Sequence, residues 1–151
     1  MEQQLEESSS PSSSSVELVQ IPIEGIDRIW GIAAPLLEKA TKRTRKIDLG
    51  SLRGSLELGE MQLWLGFDTE DESIPAAVVT QLSEYTSGLK AAQIILLGGL
   101  HLNRWRSVIA TIEGWAFTEG CETVEIVGRR GWGRVYPDYA PQEYWFSKEI
   151  R

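Results

Sequence analysis

Cysteine and histidine each occur once in the 151 residues, as Cys121 and His101. A lone cysteine excludes an internal disulfide framework and a multi-cysteine zinc site, so Cys121 is expected to be a small buried hydrophobe. A lone histidine is a weak general base unless a carboxylate orients it, and none is evident near His101. Positive charge is also scarce. Lys and Arg number 15 against 22 Asp and Glu, giving a net charge of -7 and a pI of about 4.8. General affinity for nucleic acid, which needs clustered cations, is therefore not expected. No segment approaches the roughly 20 apolar residues of a membrane span. The first residues carry Glu2, Glu6 and Glu7 and no basic residue, unlike a signal or transit peptide. A soluble protein made in a reducing compartment is the expectation.

Familiar catalytic motifs are missing as well. There is no Gly-x-Ser-x-Gly elbow, no complete Walker loop and no calcium-loop spacing. Asp68, Glu70, Asp71 and Glu72 read as an exposed solubilising turn. Gly98 and Gly99 form an isolated pair, which suits a bulge or tight strand exit better than a phosphate loop.

What remains is an ordinary globular composition, 42% hydrophobic and 25% charged, for one domain. Residues 1–15 are serine-rich and hold too little apolar surface to offset the entropy of ordering, so they read as a disordered tail before a single domain over 16–151. Val16, Leu18 and Ile21 predict a first strand ended by Pro22. Ile26, Ile29, Trp30, Ala33, Leu36, Leu37 and Ala40 follow helical spacing, with Pro35 expected to kink the helix or begin a second. Lys39, Lys42, Arg43, Arg45 and Lys46 then crowd its end, where cations suit the helix dipole and water. A short glycine-closed helix is expected within 47–59.

Residues 61–67, 74–85 and 91–97 read as three strands in an antiparallel meander, the last covered on both faces. Trp64 falls on the face opposite Leu63 and Leu65 and is the preferred exposed partner contact. Asn103 is placed to cap a helix on which Trp105, Val108, Ile109, Ile112, Trp115 and Ala116 share a face, and Gly120 to end it. A strand at 123–127 follows and is expected to lie parallel to its predecessor. After a loop over 128–141, alternation of Tyr144, Phe146, Lys148 and Ile150 predicts a sixth strand.

The order β-α-α-β-β-β-α-β-loop-β resembles the GNAT acetyltransferase fold, an α/β (α+β) class with a central mixed sheet of about six strands flanked by helices. A more specific likeness lies in the run from Glu113 through Trp115, Gly120, Cys121 and Ile126, followed by Gly128-Arg129-Arg130-Gly131-Trp132-Gly133-Arg134-Val135. It is similar to the helix, Gly-Cys turn, strand and Gly-Arg-x-Gly-Trp-x-Arg signature of GNAT-like proteins of tailed bacteriophages, including the small internal virion protein group of short-tailed phages. Gly128, Gly131 and Gly133 allow sharp turns, Trp132 is expected to anchor the loop, and Arg129, Arg130 and Arg134 form a cationic rim. Arg129, Trp132 and Arg134 join Trp64 as possible partner contacts.

GNAT enzymes hold acetyl-CoA on backbone amides of an Arg/Gln-x-x-Gly-x-Gly/Ala loop that opens a helix. Such a loop needs small residues so that phosphate can approach the backbone. Aligned on Arg104 and Arg106, this chain places Ser107 and Ile109 at the two small positions, a degenerate loop. Glu84, Tyr136 and Tyr139 are the residues such enzymes would use as base or acid, and no motif singles them out. The resemblance therefore implies a non-catalytic virion protein without cofactor or metal, made in the host cytoplasm. Its expected partners are portal or internal core components, or further copies of itself. An acetyl-CoA-dependent N-acetyltransferase with a divergent loop is the alternative, and a small adaptor or inhibitor of a host protein is a second.

Overall fold

The computed structural model describes residues 16–101, 104–128, 136–143 and 146–150, apart from the side chain of Arg106. Strand β1 (Val16–Ile21) leads through a 3-10 turn (Ile23–Gly25) into helix α1 (Ile26–Thr41) and helix α2 (Leu49–Glu57). Strands β2 (Gln62–Asp68), β3 (Ser73–Glu84) and β4 (Lys90–Gly98) follow, then helix α3 (Trp105–Thr118) and strand β5 (Thr123–Ile126). One sheet runs β1-β2-β3-β4-β5, antiparallel as far as β4 and parallel between β4 and β5. The parallel pairing follows from the α3 crossover, since a helical connection returns the chain in its starting direction.

Local chemistry explains the helix ends. Asp48 caps α2, its carboxylate accepting the Ser51 N–H at 3.0 Å. Gly59 adopts φ +80° just beyond α2, and Gly120 adopts φ +83° beyond α3, a region where a Cβ is costly. Pro35 neither divides α1 nor starts a second helix. It removes an N–H from the Gly31 carbonyl, but both residues face solvent, where water replaces the bond. The cationic residues after α1 are exposed, as a solvated terminus should be, and Arg45 forms an ion pair with Glu149.

Two cores lie on the two sheet faces. Ile26, Leu37, Leu52 and Leu56 pack on Leu63, Leu65, Val79 and Leu96 on the α1/α2 side. Trp105, Val108, Ile109 and Ile112 of α3 cover Leu18, Trp64, Val78 and Ile94 on the other. Because both faces are covered, alternation does not expose Trp64. It is only 4% exposed, meets Trp115 edge-on at 5.1 Å, and donates its indole N–H to Thr80 Oγ1 at 3.0 Å. The exposed-contact expectation for Trp64 is thereby overturned.

The expected sixth strand is also absent among the described residues of 142–150, where Phe146 is 91% and Ile150 89% exposed. Alternation can specify a strand face, but a strand also needs a ladder partner. Cys121 is half-buried rather than fully enclosed, although desolvation still raises its thiol pKa. Among the described residues no helix is long and apolar enough to cross a membrane.

Candidate functional site

Among the described residues the sheet opens where β4 outlasts its pairing with β5. Val79 pairs with Leu96 and Thr80 with Ile94, so Ile95 is an extra residue in β4. This bulge lets Ile95 and Leu96 both pack on the α1/α2 side, while Ile94 stays on the α3 side. Pairing with β5 covers Ala91 to Ile94 and ends there, the last tie being the Val127 N–H to the Ile94 carbonyl at 3.0 Å. Beyond it β4 remains paired to β3, and among the described residues no strand pairs with its other edge, an opening along β4.

Gly98 and Gly99 close the far end of β4. A Cβ at Gly98 would stand 2.1 Å from the Leu36 carbonyl oxygen, and one at Gly99 would stand 2.0 Å from that of Pro75. Gly99 also has φ +113°. These glycines are required for close packing against α1 and β3, as a tight strand exit requires, and they form no phosphate loop.

The chain then enters α3, whose first turn is the place for a pyrophosphate in a GNAT cradle. Arg104 immediately precedes the helix, and its Nη2 lies 3.1 Å from Asp68 Oδ2. Asp68, at the end of β2, is 9% exposed, so it is no mere solubilising charge of the turn. Its carboxyl pKa is lowered, chiefly by the Glu70 backbone N–H and then by Arg104. The guanidinium of the residue that precedes α3 thus already has an anion of the protein beside it. Trp105 follows with its indole buried at 2% exposure.

Ile109 is likewise 2% exposed in the α3-side core. It lies in the second turn of α3, where a backbone N–H is normally spent inside the helix. Ile109 is therefore core and never stood in the cradle, whereas Arg104 and Trp105 occupy the helix start. Ser107 is partly buried in the first turn. Arg104 and Trp105 at the helix start are larger than the Gly or Ala of the GNAT loop pattern, and Arg104 is engaged by Asp68. The Arg106 side chain, Asn103, Arg129, Trp132 and Arg134 lie outside the described residues.

Other expected catalytic residues are scattered. His101 is exposed, its carbonyl accepting the Arg104 N–H. Glu84 is exposed and pairs across from Lys90, at the opposite end of β4 from the opening. Tyr139 donates its hydroxyl proton to Glu113 of α3, and burial together with that bond raises its pKa far above the phenol range. Tyr136 is buried beside it, the rings 6.0 Å apart. Among the described residues no group of three or more His, Cys, Asp or Glu is placed to hold a metal.

Sequence reading missed one polar group next to the opening. Glu125 of β5 accepts the Tyr85 hydroxyl at 2.8 Å and the Gln93 amide at 3.0 Å, while Ser83 donates to Gln93 at 3.3 Å. Alternation along β4 and β5 puts Gln93 and Glu125 on one face, but only the register makes them neighbours.

No protein-family model matches the sequence, and no curated protein is similar to it. Solved structures do share the fold. A ribosomal-protein-alanine N-acetyltransferase from Brucella melitensis biovar Abortus 2308 is 17% identical, with 90% of this chain and 99% of that one covered at TM-score 0.61. An aminoglycoside acetyltransferase from an uncultured soil metagenomic sample, in complex with sisomicin, is 12% identical, with coverage of 91% and 98% and TM-score 0.65. A GNAT family acetyltransferase from Staphylococcus aureus is 11% identical, with coverage of 90% and 99% and TM-score 0.60. At such identities the likeness is one of fold. The chain has the GNAT acetyltransferase architecture, with five strands among its described residues.

Proposed function

We propose that the chain is a GNAT-fold protein that works through protein contacts in a tailed-phage particle and carries out no acetyl transfer. The Asp68–Arg104 pair supports the non-catalytic half of this reading, because it engages with the protein's own carboxylate a guanidinium at the start of α3 that a cofactor phosphate would otherwise meet. The likeness of the run 113–135 to phage GNAT-like proteins supports the particle. On this reading the partners are portal or internal core components or further copies, the protein is made in the host cytoplasm, and no cofactor is carried.

Calorimetry of the purified chain with acetyl-CoA tests the first half. No saturable heat is expected below about 1 mM, a binding energy of only about 4 kcal/mol. Submillimolar binding that is lost on changing Arg104 would replace this reading with that of an enzyme. Mass spectrometry of purified particles tests the second half, with the chain expected as a constant component after nuclease and salt washing.

One observation favours the enzyme reading, an N-acetyltransferase with a divergent loop. β4 carries a bulge and outlasts its pairing with β5, and the structural neighbours are named as acetyltransferases. Glu125, one residue before the strands separate, is then the carboxylate best placed to meet an amine.

A further inference from the structure

The chain after β5 returns to α3 and leaves a cleft of about 330 Å³ between the helix and the 136–139 turn. Ile109 and Ala110 contribute apolar surface, Tyr136 and Tyr139 contribute rings, and Glu113 and Asp138 contribute carboxylates. Among the described residues no basic side chain lines it. The volume is at the lower end for a ligand site and suits one long side chain better than a folded peptide.

We infer that this cleft binds an arginine side chain presented by a partner protein. Tyr139 holds Glu113 Oε2 by a hydrogen bond, so the carboxylate is fixed before any ligand arrives, and Oε1 remains to accept. Burial keeps the proton on Tyr139, so its hydroxyl remains the donor of that bond. A guanidinium is planar and can lie on a tyrosine ring while its edge donates to a carboxylate, two contacts that an ammonium cannot make together. Asp138 adds a second negative charge to the lining.

The outward surface of α3 points to a macromolecule as the carrier of that arginine. Ala110, Glu113, Gly114 and Phe117 share one helical stripe. Phe117 is 81% exposed, and Gly114 has open space where a Cβ would stand. A partner backbone can approach over the small residues and bury the phenylalanine next to the cleft. The inference holds whether or not acetyl-CoA binds at the start of α3, which is a separate place on the helix.

Backbone amide NMR of the full chain, titrated with N-acetyl-arginine methylamide, tests it. Saturable shifts are expected at Ala110, Glu113, Asp138 and Tyr139, about fivefold weaker binding with the lysine counterpart, and none with the neutral citrulline counterpart. The double variant Glu113→Gln, Asp138→Asn should abolish the shifts. Tyr139→Phe, which only frees Glu113 from its anchor, should weaken binding about threefold and serves if the double variant does not fold. Absence of saturation, equal response to citrulline or lysine, or unchanged binding by both variants would overturn the proposal.

Discussion

Strands β1 to β4 pair along nearly their whole lengths, whereas β4 keeps β5 for only four residues before the two part. Both regions are rich in apolar residues, and both rest on helices. The difference falls next to Ile95, the extra residue of β4 that follows the last residue paired with β5. Pairing continues along the meander, whereas the end of pairing with β5 leaves an open edge of β4 among the described residues. Stability and any function at the opening are thus carried by different strands of one sheet.

Substitutions can test this division. The largest loss is expected from Trp64→Ala in the meander, since it empties a buried site facing Trp115 and removes the donor to Thr80. Urea unfolding should show a loss of about 3–5 kcal/mol. A loss below about 1 kcal/mol would mean that the indole is not enclosed. Gly99→Ala, at the junction, should cost about 3 kcal/mol, because the Cβ meets the Pro75 carbonyl and φ is positive.

On β5, Ile126→Ala should cost only about 1–2 kcal/mol by the same measurement, as the side chain is partly exposed beside the opening. If it matched Trp64→Ala, the two regions would be equally enclosed and the contrast would fail. The smallest effect is confined to acid. The folded-state pKa of Asp68 lies below its unfolded value, so its contribution is complete above about pH 5 and is lost as pH falls through the folded value. Thermal melts from about pH 5 to pH 2 should therefore fall less steeply for Asp68→Asn than for the unaltered chain.

Periodicity made most of the framework legible. Helical spacing from Ile26 to Ala40 and alternation around Leu63 and Leu65 correspond to α1 and β2. Gly120, read as a left-handed terminator, has positive φ. Trp64 was misjudged because alternation says which residues share a face and says nothing about whether that face is covered. The final strand read over 142–150 is not found among the described residues there, since alternation supplies a pattern but no ladder. The cofactor loop was misplaced by register, since helix α3 begins at Trp105 and so puts Ile109 in its second turn.

The amino-acid order by itself determined the element sequence from β1 to β5, the parallel crossover and the absence of an internal disulfide, because these depend on local spacing, turn chemistry and composition. Only the tertiary structure decided that Asp68 meets Arg104, that Glu125 is held by Tyr85 and Gln93, and that Tyr139 reaches Glu113. Those pairs join residues 26 to 40 positions apart. Their geometry is set by strand register and helix docking, which no local pattern records.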